Sequence, residues 1–206
     1  MRNTILFLLS LITLHCFGQS QPEMNVIYGE HHIFTISTPS GWVNDKEAAS
    51  SIGLISFFYN KEDQNKNPKS YMYAMGYDKD NETESLEAFM SGDIANFKKK
   101  YPNLTYEQFE TGKSGAIINA QMLSYSNLGD RYKEEVLYLE TELSILVFVF
   151  ATFSEEDYQI YLPVFDQLIA SFNYLGNDPK PFPRVAKATK RELKVFVLSS
   201  IESFII

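Results

Sequence analysis

The sequence predicts an α+β fold: an α/β/α sandwich with a central, mostly antiparallel sheet of about six to seven strands and two main helices. Three observations lead there. Apolar residues alternate with period two in several runs bounded by turn residues. The period switches to 3.6 in two longer stretches, and the order along the chain is three strands, a helix, four strands, a helix.

The first strand is expected at 33–38, stopped by Pro39-Ser40-Gly41-Trp42, where proline cannot donate to a ladder and glycine tolerates a turn. A second apolar run, 53–60, ends in the polar stretch 61–69, read as a hairpin loop. In the third, 70–78, Tyr71, Tyr73, Met75 and Tyr77 share one face and Met72, Ala74 and Gly76 the other. Leu86, Phe89, Met90, Ile94, Phe97 and Tyr101 then mark a helical face. Ser85 or Thr83 caps its first turn, Lys98 to Lys100 suit its negative end, and Pro102 stops it.

Runs 104–110, 116–125, 131–140 and 143–153 follow, punctuated by Gly112, Gly115 and Asn127-Leu128-Gly129-Asp130, so antiparallel hairpins are the economical connection. The last run is apolar on both faces, as expected of a central strand covered on each side. Ser154 followed by Glu155, Glu156 and Asp157 is a helix start. Tyr158, Tyr161, Leu162, Phe165, Leu168, Ile169 and Phe172 supply its buried stripe, with Pro163 inside predicting a kink or two short helices.

The ends read differently. Met1-Arg2-Asn3, an apolar run at 4–14 and Cys16-Phe17-Gly18 form a signal peptide, 1–18, with cleavage after Gly18. The run is shorter than the roughly 20 residues a spanning helix needs. Lipidation at Cys16 fits less well, because His15 and Thr13 stand where a lipoprotein signal prefers small residues and leucine. The expected organisation is a single domain over 19–176 and a tail over 177–206. The tail has a proline-containing linker and a basic amphipathic stretch in which Phe196 and Ile201 lie on the apolar side. The protein is therefore expected to be exported, periplasmic or secreted.

An apolar content of 45% excludes a disordered chain. Residues 19–176 carry 11 basic and 23 acidic side chains, a net −12, whereas 177–206 carry 6 and 3, a net +3. So acidic a domain repels a polyphosphate backbone, and nucleic acid is not an expected partner. Cleavage after Gly18 leaves no cysteine, hence no disulfide and no thiol chemistry.

Catalytic motifs are sparse. His31 and His32 are neighbours at a strand mouth, so they point to opposite faces and read as solvated strand-end residues; no Gly-x-Ser-x-Gly elbow accompanies them. The acidic loop 78–84 alternates oxygen ligands but has Thr83 and Phe89 where a calcium-binding EF-hand loop needs glycine and glutamate. It reads as a solvated loop before a helix. Carboxylates abound, and Glu134, Glu135, Glu140 and Glu142 are the ones to check, because their strand adjoins the most apolar one. No cofactor and no metal is implied. If exposed, Tyr71, Tyr73 and Tyr77 would form a platform for a glycan or peptide, and with Phe196 and Ile201 they are the candidate partner surface. If buried, they are the sheet face beneath a helix, the reading that helices on both faces favour. Trp42, directly after the turn, is expected in the core.

The stretch from about 28 to 175 resembles the PsbP-like superfamily, which includes an extrinsic photosystem subunit and a Ran-binding nuclear import factor. The resemblance lies in the strand running into Pro39-Ser40-Gly41-Trp42, the two strands, helix and strand meander that follow, and the apolar strand, acid-capped helix and Ser171-Phe172 ending. It implies a family of binding and assembly proteins without a shared catalytic site, and no functional residue transfers by motif. The expected function is thus an exported, non-catalytic binding or assembly module with a protein partner. Two alternatives stand: a carboxylate-based hydrolase or glycan-processing enzyme, and a membrane-surface tether acting through the tail.

Overall fold

In a computed structural model that describes residues 22–178 apart from 65, 81–83 and 113, turn chemistry and alternation divide the described residues into ten strands and three α-helices. In order they are β1 (Met24–Tyr28), β2 (Ile33–Ser37), β3 (Trp42–Asn44), α1 (Lys46–Ser51), β4 (Ser56–Asn60) and β5 (Ser70–Asp78). Then come α2 (Leu86–Lys100), β6 (Thr105–Glu110), β7 (Asn119–Leu128), β8 (Arg131–Glu140), β9 (Ser144–Thr152), α3 (Glu155–Ala170) and β10 (Asn173–Gly176). The expected signal peptide and nearly all of the tail, with Phe196 and Ile201, lie outside the described residues.

Seven strands form one antiparallel sheet in the order β3-β4-β5-β9-β8-β7-β6. Its centre is β9, buried at all nine positions, as a strand apolar on both faces requires. Ile145, Val147, Val149 and Ala151 face the α1 and α2 side with Leu86, Phe89, Met90 and Phe97. Leu146, Phe148 and Phe150 face the other side, against Phe165 and Leu168 of α3. Ser85 caps α2 by accepting from the Ala88 N–H at 3.2 Å, and Ser154 caps α3 through Asp157 N–H at 3.1 Å.

Three features depart from expectation. The strand at 33–37 is not in the main sheet. It is the middle of a second sheet, β1-β2-β10, laid over the α3 side of the sandwich with Ile27, Phe34 and Ile36 turned into the core. Helix α1 and strand β3 are additional, formed where Asp45 caps α1 through Ala48 N–H at 2.9 Å. Finally, α3 runs unbroken through Pro163. The proline and Gln159, whose carbonyl loses its partner, both lie on the exposed side, so water can satisfy what the helix cannot.

The turn before β3 shows how local chemistry places a core residue. Trp42 N–H donates to Pro39 C=O at 3.1 Å and Gly41 has φ +79°, the left-handed value that the third position of a type II turn needs. This sets Trp42 into the core, edge-on to Tyr161 at 5.2 Å. Among the described residues, no helix is long and apolar enough to cross a membrane.

Candidate functional site

Alternation along β8 sends Glu134 and Glu140 to the α2 side and Glu135 to the α3 side, and all three are buried. Each has an internal partner. Glu135 accepts from the Ser124 and Tyr158 hydroxyls, both at 2.7 Å. Glu140 pairs with the buried Lys79 ammonium at 2.7 Å. Glu134 is ion-paired with Arg131, whose guanidinium also donates to the Tyr101 hydroxyl at 3.2 Å. Strict alternation would place Arg131 and Glu134 on opposite faces, which is why the sequence did not suggest the pair. Arg131 is the first residue after the Gly129-Asp130 turn, where alternation has not yet taken hold. Glu142, in the β8–β9 turn, is exposed.

Glu134 and Asp93 of α2 line a common cavity with Tyr73, Tyr77, Phe97 and Tyr138. The Tyr138 hydroxyl donates to Asp93 at 3.3 Å. Burial holds the phenols of Tyr73 and Tyr138 well above their usual range, reinforced at Tyr73 by the charge of Glu134 and at Tyr138 by those of Asp93 and Glu134. Two acids from different elements in one cavity is what a carboxylate enzyme would show. This cavity is about 30 Å³, however, room for one or two waters, whereas small-molecule sites run to roughly 300 Å³ and more. Its geometry suits hydration of polar core atoms and leaves no space for a sugar ring.

His32 corrects the sequence reading. It is 2% exposed rather than solvated, while His31 stays exposed. Its Nδ1 is 2.8 Å from Asp78 Oδ1, and the same carboxylate accepts from the backbone N–H of Glu30 at 2.7 Å and of His31 at 2.9 Å. Burial alone would raise the Asp78 pKa. The His32 hydrogen bond and charge, with those two N–H groups, outweigh it and bring the value down to about 2. Ser144 Oγ donates to His31 C=O at 2.8 Å and also lies 3.1 Å from Asp78 Oδ1. Serine, histidine and aspartate thus meet, but serine and histidine both bond the carboxylate. A nucleophile would need its hydroxyl on the imidazole. The cluster is a clasp between the β1–β2 connection and the ends of β5 and β9. The imidazole fits because Gly76 has no side chain: a Cβ there would lie 2.2 Å from Nε2. Asp78 therefore serves the clasp and not the acidic loop, and no group of three or more metal-ligating side chains occurs among the described residues.

Of its two readings, the tyrosine stripe takes the buried one and forms no exposed platform. Tyr71, Tyr73 and Tyr77 are only 1, 5 and 8% exposed, covered by α2 and packed on Phe57 and Phe89. Exposed apolar surface lies elsewhere. Of six large hydrophobic side chains exposed among the described residues, Tyr106 and Phe109 are on β6 and Ile118 on the loop joining β6 to β7, at 38, 48 and 51%. All six positions of β6 are exposed, one aromatic pointing to each side. No local signal marks this exposure, since the Tyr106 and Phe109 pattern matches that of a half-buried strand.

No family model and no curated protein sequence matches the chain. Solved structures do. The solution structure of cyanobacterial PsbP from Synechocystis is 13% identical, covers 78% of this chain and 97% of its own, and superposes with a TM-score of 0.50. The Ran-binding protein Mog1p of Saccharomyces cerevisiae is 10% identical over 79% of this chain and 98% of its own, with a TM-score of 0.47. A Pseudomonas aeruginosa protein of unknown function is 10% identical over 82% and 89%, at 0.38. The last two superpose more loosely. With its seven-stranded antiparallel sheet between helices and the match to cyanobacterial PsbP, the chain has the PsbP-like fold.

Proposed function

We propose that the chain is an exported module that binds another protein and acts by presenting a surface, without catalysing a reaction. The observation that carries this reading is the concentration of exposed aromatic and aliphatic side chains at β6 and its following loop. Apolar side chains exposed along a sheet edge are where partners dock. The interior supports it: Glu134, Glu135 and Glu140 are each tied to a neighbour, and the cavity lined by Asp93 and Glu134 is water-sized. The PsbP-like resemblance implies the same class of role. Export rests on the 1–18 signal pattern, with β1 opening at Met24, shortly after the expected new terminus at Gln19.

The test is photo-cross-linking in the native cell envelope, with a benzophenone side chain replacing Phe109 in one full-length variant and Ile160, exposed on α3, in another. A discrete protein adduct from position 109 and none from 160 is expected. Equal adducts from both positions, or none from 109, would contradict the reading.

A further inference from the structure

Strand β6 closes one end of the main sheet, paired with β7 over six residues without a register shift. The phase of its hydrogen bonds follows from the next residue: Thr111 N–H donates to Ala120 C=O at 3.3 Å. In an antiparallel pair, bonded and non-bonded positions alternate. Residues 105, 107 and 109 therefore bond to β7, while the N–H and C=O groups of Tyr106, Gln108 and Glu110 point away from it. Of the usual protections of an edge, β6 lacks lysine, proline and a bulge, and carries only the carboxylates of Glu107 and Glu110. The opposite edge is protected. There β3 has three residues, runs directly into α1, and has Asn44 tied by its side chain to Asn25 at 2.7 Å and to Phe57 N–H at 3.1 Å.

The side chains of this open edge are ordered. Tyr106 and Glu110 share the α2 side, and Glu107 and Phe109 the α3 side, so each face offers one aromatic ring and one carboxylate. We propose that β6 accepts an extended segment of a partner protein as an eighth, antiparallel strand, and that this segment reads basic–apolar–polar–basic–apolar from its N-terminus. The two cations then stand opposite Glu110 and Glu107, and the two apolar side chains opposite Phe109 and Tyr106. This deepens the binding reading given above and rests on it. Charge selects the occupant: residues 19–176 carry a net −12, so a basic segment is drawn in and a second copy of the same domain is repelled.

The probe is a fluorescent, end-blocked peptide containing Lys-Val-Thr-Lys-Val, titrated against the full chain, with Glu-Val-Thr-Glu-Val as its control. Saturable binding of the lysine peptide only is expected. Gln108→Pro removes one outward N–H without touching the ladder to β7, a position where an edge strand tolerates proline. It should weaken binding at least tenfold and leave the thermal midpoint near that of the parent. The pair Glu107→Lys and Glu110→Lys should exchange the preference between the two peptides, which keeps the test valid if the proline variant folds poorly. Equal affinity for both peptides, or none lost on Gln108→Pro, would overturn the proposal. So would dimerisation abolished by Gln108→Pro, which would assign the edge to a second copy. The chain's own 184–188, Arg-Val-Ala-Lys-Ala, has the same spacing. An affinity raised tenfold by Arg184→Glu with Lys187→Glu would make that segment the occupant and also overturn the proposal. If Gln108→Pro keeps the cross-linked adduct at position 109, strand addition fails while the binding reading survives.

Discussion

Trp42 and His32 are both buried, but only the burial of Trp42 has a local cause in the sequence. Trp42 follows a proline–glycine turn and is large, so both local and bulk arguments place it inside. Trp42→Ala should cost roughly 3–5 kcal/mol in urea unfolding, as for other large core truncations, and a loss under about 1 kcal/mol would contradict its core role. His32 carried no such signal, since its partner Asp78 lies 46 residues away and its cover comes from the absence of a side chain at Gly76. Gly76→Ala should therefore destabilise by roughly 1–3 kcal/mol through overpacking. Adding His32→Ala should cost less than the sum of the single changes, and strict additivity in a double-mutant cycle would rule out the clasp. The clasp also sets an acid limit. Because the folded Asp78 pKa of about 2 lies below its ordinary 3.8, its stabilisation is full above about pH 4 and is lost as the pH falls through 2. Asp78→Asn should be less stable near neutrality and show a shallower loss between pH 4 and 2; an unchanged acid profile would contradict the assignment.

Elements with long, regular periodicity were legible. The α2 stripe from Leu86 to Tyr101, the α3 stripe from Tyr158 to Phe172, and β5, β8 and β9 all lie within a few residues of where alternation places them. Short elements were not. β3 has three residues and β10 four, too few for a period to show, and they form because a longer neighbour offers an edge: β4 for β3 and β2 for β10. Pairing order across the sheet was also hidden, since β5 and β9 are joined only after α2 and three further strands. Pro163 was a sound local signal overruled by position, the lost hydrogen bond facing water. Pro163→Ala should accordingly raise stability by roughly 1–3 kcal/mol by restoring that bond and helical propensity. A lower thermal midpoint would mean that the proline shapes α3 for its seat on the sheet.

At the scale of the whole molecule, the fold directs its ionisable groups two ways. Those reaching the interior are paired there, as in Glu134 with Arg131, Glu140 with Lys79 and Asp78 with His32, and most of the acidic excess remains outside. Fold class was visible in the sequence because it follows from many weak signals that agree. The interaction surface was not, because exposure of Tyr106 and Phe109 depends on what fails to pack over β6, which no local pattern records. The most direct test of the central claim, that the chain works by offering the β6 edge to another protein, is residue-resolved amide exchange by NMR on the full chain. In the free protein, Tyr106, Gln108 and Glu110 should exchange fast while Glu107 and Phe109 are protected, a period-two pattern set by the ladder to β7. With the partner recovered from position 109 bound, the three fast amides should slow markedly and those of α3 remain unchanged. Amides at 106, 108 and 110 that stay fast in the complex would contradict the account.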